Sequence, residues 1–166
     1  MKNILKTLQR RRVMRLINKR YAGTKKFEKK RKLLNKIGFK IGEGTKIVGP
    51  IECTGALITG RDCWIGKHFK INGGGLVILG DNCDIAPEVT FQTGTHDIGD
   101  EKRRAGVGRN CCQNVGNGTW IGARATIINN VKIGNGCVIG ACALVNKDVS
   151  DNTVVGGVPA RVIKEL

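Results

Sequence analysis

The stretch Trp120-Ile121-Gly122-Ala123-Arg124-Ala125-Thr126-Ile127-Ile128-Asn129-Asn130-Val131-Lys132-Ile133-Gly134-Asn135-Gly136-Cys137-Val138-Ile139-Gly140-Ala141 places an aliphatic residue at every sixth position. Glycine often follows it, and a small or aliphatic residue stands four places further on. Outward from this stretch the same frame runs back through Ile41, Ile47, Cys53, Thr59, Ile65 and Ile71, slips by two residues around Gly73-Gly74-Gly75, and resumes at Leu79, Ile85 and Phe91. It returns at Val115 and continues through Ile121, Ile127, Ile133, Ile139 and Val145. A period of six suits neither an α-helix nor a hairpin meander, but it suits short strands wound into a three-sided parallel coil of eighteen residues per turn. Small residues fill so narrow a core, and corners that need positive φ favour glycine or asparagine, which points to Asn130 and Gly136.

Cys53, Cys63, Cys83 and Cys137 fall in inward places of this frame and read as small apolar residues. The seven cysteines are odd in number and contain no CxxC pair, so neither disulfides nor a zinc site is expected. Adjacent Cys111 and Cys112, read as lying outside the repeat, are the expected reactive thiols. The 166 residues suffice for one domain with a sizeable core. The 24 glycines lack collagen's three-residue period, and the abundant aliphatic residues argue against general disorder. No apolar run approaches the roughly 18 residues that cross a bilayer, and no apolar signal region follows the basic N-terminus. The expected location is the cytoplasm.

The net charge of +16 is concentrated at one end. Residues 1–40 hold 16 Lys and Arg against one acid, Glu28, whereas residues 41–166 are nearly neutral. The expected organisation is therefore a basic helical segment over 1–40 and a solenoid domain over 41–166, interrupted by a loop at 97–114. Leu5, Leu8, Val13, Leu16 and Ile17 recur at helical spacing among arginines, Gly23-Thr24 breaks the pattern, and Thr24 is placed to cap a second helix carrying Phe27, Leu33, Leu34 and Ile37. Such a segment suits packing on the main domain with a solvated basic face, or contact of residues 1–36 with an anionic membrane surface. Nucleic acid is the weaker partner, because no aromatic stacking platform accompanies the charge.

Trp120-Ile121-Gly122-Ala123-Arg124-Ala125-Thr126-Ile127 resembles the WIGxxxxI signature of hexapeptide-repeat acyltransferases, as does Val131–Ala141. The ending Gly156-Gly157-Val158-Pro159-Ala160-Arg161-Val162-Ile163 resembles that family's closing motif. The nearest group is the maltose, galactoside and colanic-acid O-acetyltransferases. The resemblance implies an all-β fold, a left-handed parallel β-helix assembled as a homotrimer, and acetyl-CoA as donor with no metal required. It implies transfer to a hydroxyl of a sugar or polysaccharide precursor. An N-acetyltransferase acting on an amino-sugar or antibiotic, a serine O-acetyltransferase, and a non-catalytic structural solenoid remain as alternatives.

Of the two histidines, His96 stands in Thr93-Gly94-Thr95-His96-Asp97, where the repeat breaks off, and resembles the family's catalytic histidine. A hydroxyl attacks a thioester poorly unless a base takes its proton, and imidazole titrates near neutrality. By resemblance Ala123 supplies a backbone N–H to the oxyanion, Ala141 a second amide to coenzyme A, and Trp120 a wall for pantetheine. Asn146 falls where the family often has threonine. Lys147, Arg161 and Lys164 carry charge suited to the phosphates. For the acceptor, Asn72 matches a family asparagine, and the loop offers Asp97, Asp100, Glu101, Arg103 and Arg104. His68 is expected at the surface. Two histidines cannot fill the three-histidine zinc site of the γ-class carbonic anhydrases, which share the scaffold.

Overall fold

The computed structural model describes residues 2–166. Residues 40–166 form a triangular prism of parallel strands. Its first face comprises Lys40–Ile41, Ala56–Thr59, Leu76–Leu79, Cys112–Val115 and Lys132–Ile133. The second runs from Lys46–Ile47 through Trp64–Ile65, Asp84–Ile85, Trp120–Ile121 and Val138–Ile139 to Thr153–Gly156. The third comprises Ile51–Cys53, Phe69–Asn72, Thr90–Gln92, Thr126–Ile128 and Leu144–Val145. Every residue of the six-residue frame, from Ile41 to Val145, is buried. The strands are short because alternate side chains must point inward and only two or three fit along one side of so narrow a core.

Register records each departure from the repeat. Lys46 lies opposite Trp64, eighteen residues on, as does Trp120 opposite Val138. Trp64 lies opposite Asp84, a step lengthened by the two-residue slip at Gly73–Gly75. Gly73 adopts φ +105, and a side chain there would run into the backbone of Gly94. Asp84 lies opposite Trp120, a step that contains one whole coil plus an eighteen-residue excursion. That excursion is an antiparallel hairpin of Gly94–Ile98 with Ala105–Asn110. Within the stretch read as a loop over 97–114, Cys112–Val115 already belongs to the first face, so Cys112 lies inside the repeat. Cys111 is buried with its N–H on Thr93 O (2.7 Å), and only Cys112 of that pair is exposed.

Two of the three corners share one device. The fourth residue of a six-residue unit takes the left-handed conformation at Asp62, Asn82, Gly118, Gly136 and Asn152 in the first corner, between faces one and two. His68, Glu88, Arg124 and Cys142 do so in the second, between faces two and three. In the third corner positive φ falls instead on the third residue of a unit, at Gly73 and at Asn129 (φ 65) rather than the expected Asn130, whose Oδ1 accepts the Cys112 N–H at 2.7 Å.

Two helices close the N-terminal end. Helix α1 (Lys2–Arg15) continues as a π-helical turn, Leu16–Arg20, and helix α2 spans Phe27–Lys36. Val13, Ile17 and Leu34 join the solenoid core. Thr24 is not the cap of α2: Lys26 holds that place at φ 54 with no side-chain cap hydrogen bond. Arg10 donates to Cys53 O (2.9 Å) and Gly55 O (3.2 Å) at the third corner, fixing α1 to the prism. Lys30 is fully buried, donates to Gly23 O at 2.7 Å and lies over the Phe27 ring, and its burial lowers the pKa below the usual lysine value. The opposite end is closed by Arg161–Glu165, which runs antiparallel to Thr153–Gly156.

Candidate active site

The hairpin leaves and re-enters the prism at the third corner. Its feet are Thr93, whose N–H donates to Asn72 O (2.7 Å), and Cys111. Asn110 Oδ1 receives the Gly74 N–H at 3.1 Å, so the glycine slip of one coil forms the seat of the excursion above it. Inside, the fully buried Gln113 donates through Nε2 to Gln92 O, Ile127 O and Asn129 O at 3.1, 3.2 and 2.9 Å. It ties the re-entering strand to the two coils it joins.

His96 is exposed on the outgoing strand, opposite Gly108. Its Nδ1 lies 2.9 Å from Gly106 O. A carbonyl oxygen can only accept, so Nδ1 carries the proton, and in the neutral ring the lone pair is left on Nε2. This is the tautomer a general base requires. Asp97 and Arg109 form an ion pair at 2.7 Å along the same hairpin. Arg109 was not singled out from the sequence, and the pair leaves Asp97 committed to the hairpin itself. Arg104 donates to Gly99 O (3.2 Å), and Arg103 lines a small hollow with Gly99 and Asp100 near the hairpin tip.

Ala123 and Ala141 occupy the same place of successive coils in the second corner, and their environment is the site's second component. Cys142 N donates to Ala123 O at 2.8 Å, so the carbonyl is used. Among the described residues no acceptor meets the N–H of either alanine. In the preceding coil the equivalent residue is Pro87, which has no N–H. Gly122 permits the close stacking, since a Cβ there would come within 2.6 Å of Ala141 N. The two open amides therefore lie one coil apart, about 5 Å along the prism axis.

Trp120 is 54% exposed on the second face beside this column. Asn146, Lys147 and Arg161 come together around a cleft of about 340 Å³ at the C-terminal end of the prism, where Val145, Val149 and Val155 end the core. Lys164 lies opposite Val154 in the closing strand and does not line this cleft. Asn72 ends its strand opposite Gln92, beneath the hairpin feet. His68 is exposed as expected, in a hollow with Lys70, Glu88, Thr90 and Arg124, where the Arg124 guanidinium (2.9 Å) lowers the Glu88 pKa.

Within one chain these parts lie on different edges. His96 rises from the third corner and the open amides line the second, with the whole third face, roughly 15 Å, between them.

A parallel solenoid of six-residue units is the architecture expected of the hexapeptide-repeat transferases. Residues 114–147 match the family described as bacterial transferase hexapeptide (six repeats). The galactoside O-acetyltransferase of Escherichia coli (strain K12) is 33% identical over 145 residues, 84% of this chain and 70% of that one. A galactoside acetyltransferase solved in complex with coenzyme A superposes with a TM-score of 0.84 at 32% identity, covering 96% of this chain and 80% of that chain. A hexapeptide-repeat acetyltransferase from Vibrio cholerae O1 biovar eltor, solved with acetyl coenzyme A, gives 0.85 at 25% identity over 100% and 90%. The chain belongs to the hexapeptide-repeat acyltransferase family, alongside the galactoside O-acetyltransferases.

Proposed function

We propose that this acyltransferase moves the acetyl group of acetyl-CoA onto a hydroxyl of a saccharide acceptor, with His96 as general base. The free Nε2 of His96 carries this reading. It takes the hydroxyl proton as the oxygen attacks the thioester carbonyl, and the resulting imidazolium returns the proton to the departing coenzyme A thiolate. The Ala123 N–H meets the oxyanion of the tetrahedral intermediate, and the Ala141 N–H binds the pantetheine arm extended along the column. Trp120 flanks that arm, while Asn146, Lys147, Arg161 and Lys164 receive the far end of the donor, where the phosphates need cations. Asn72, Arg103 and Arg104 line the acceptor side, and Asp97 braces it through its ion pair with Arg109.

Because base and amides occupy different edges of one chain, the complete site needs the hairpin of one copy over the amide column of the next, as a closed trimer supplies. The test is thiol release from acetyl-CoA over a panel of sugars, amino-sugars and serine. His96→Ala should abolish release that wild type shows with a sugar. Ala123→Pro homo-oligomers should be equally poor, yet a refolded equal mixture of the two variants should recover about a quarter of wild-type activity, since each site needs one residue from each neighbour. Full turnover by His96→Ala overturns the base. Failure of the mixture to recover overturns the shared site.

A further inference from the structure

We infer that the outward face of α1 is a docking surface for an anionic phospholipid bilayer. This inference concerns location and is independent of the proposed reaction. At about 100° per residue, Ile4, Leu8, Arg11 and Arg15 form one stripe along the helix, flanked by Leu5 and Arg12. Val13, on the opposite side, is buried against the solenoid. Ile4, Leu5 and Leu8 are 65%, 63% and 54% exposed, and Arg11, Arg12 and Arg15 are exposed as well. The stripe is thus apolar in its first turns and cationic in the next. Among the described residues no carboxylate pairs with those three arginines.

Such an order suits a helix that dips its first two turns below the headgroups and leaves guanidinium groups at phosphate depth. A second copy is a poor occupant, because its own residues 1–40 carry the same excess of positive charge. A nucleic-acid backbone satisfies the arginines and leaves Ile4, Leu5 and Leu8 in water. Nor does the helix cross the membrane: none among the described residues is long and apolar enough. Arg10, on the flank, is already spent on the Cys53 and Gly55 carbonyls. Through that anchor α1 shares the third corner with the histidine hairpin, two coils apart. Docking therefore holds the hairpin near the bilayer, and if the proposed reaction holds, that favours acceptors carried on lipid.

The experiment is sedimentation of the full chain with vesicles of phosphatidylglycerol and phosphatidylcholine, against vesicles of phosphatidylcholine alone. Wild type should pellet with the anionic vesicles and be released by high salt. The Arg11→Glu/Arg12→Glu/Arg15→Glu variant should lose more than about a hundredfold in partitioning, at roughly fivefold per charge near the surface. The Ile4→Ser/Leu5→Ser/Leu8→Ser variant should lose at least about tenfold. Both should melt like wild type and release thiol from acetyl-CoA at the wild-type rate with a soluble sugar. Wild type remaining in the supernatant overturns the inference, as does equal pelleting of all three proteins. A wild-type mass in light scattering that falls only in the serine variant reassigns the face to a second copy and likewise overturns it.

Discussion

The first and second corners of the prism are built on the same backbone and end in opposite chemistry. In the first, from Asp81 onward, the third residue of a unit caps the N–H of its counterpart one coil earlier. Asp81 accepts from Arg61 N at 2.7 Å, Asn117 from Asp81 N at 2.8 Å, Asn135 from Asn117 N and Asp151 from Asn135 N, both at 2.9 Å. The second corner has Lys67, Pro87, Ala123 and Ala141 in those places, with no side-chain oxygen in the set. One edge uses its amides for stability, and among the described residues the other leaves the N–H groups of Lys67, Ala123 and Ala141 uncapped. Leaving caps out costs little where solvent can reach the amide, and it is these uncapped amides that the proposed reaction uses.

That contrast can be broken from either side. Ala123→Pro is the sharpest cut, because Pro87 already fits the same backbone one coil earlier and the substitution deletes only the N–H. Turnover should fall about 10²–10³-fold, the usual cost of one oxyanion donor, with the melting temperature nearly unchanged. A stopped-flow thiol assay beside a calorimetric melt separates the two readouts. Ala141→Asn extends the first corner's ladder into the second by capping the Ala123 N–H. Activity should fall at least about tenfold while stability rises by about 1 kcal/mol, and a gain in stability without loss of activity removes Ala123 from the mechanism. Asn135→Ala does the reverse, uncapping Asn117 for about 1 kcal/mol of stability with kcat/KM unchanged.

The smallest effect lies at Asp151, whose pKa is lowered by the hydrogen bonds from the Asn135 N–H and side chain. A lowered folded-state value means that its contribution is complete above the unfolded-state pKa and is lost as pH falls through the folded one. Asp151→Asn keeps the cap and should flatten the acid limb of a stability curve below about pH 4.

The solenoid was legible because its inward residues recur in plain sight. Ile41 through Val145 needed only a period, and even the slip at Gly73–Gly75 and the break at the hairpin stood out as interruptions of it. His96 was legible because a histidine stood at such an interruption. The open amides were not legible from composition, since an N–H belongs to no residue type; only resemblance pointed to Ala123 and Ala141. The side chains that cap and brace the coil were missed for a related reason. Asn129 and Asn130 are adjacent asparagines, and only coordinates tell which turns the chain and which caps Cys112. Thr24 has a capping side chain but sits too early, and Lys26 opens α2 through its backbone alone. Gln113 reads as an ordinary polar residue until three carbonyls from two coils are found around its amide.

The step of thirty-six residues from Asp84 to Trp120 has a further consequence. The chain departs at Thr93 and comes back at Cys111 within one coil spacing, and the coils above and below stack as if nothing had been inserted. Residues 94–110 are therefore inserted without disturbing the register of the coils on either side, although Asn110 seats them on Gly74. Exchanging that segment for the hairpin of another such enzyme should retarget the acceptor while the donor groove and the core stay as they are.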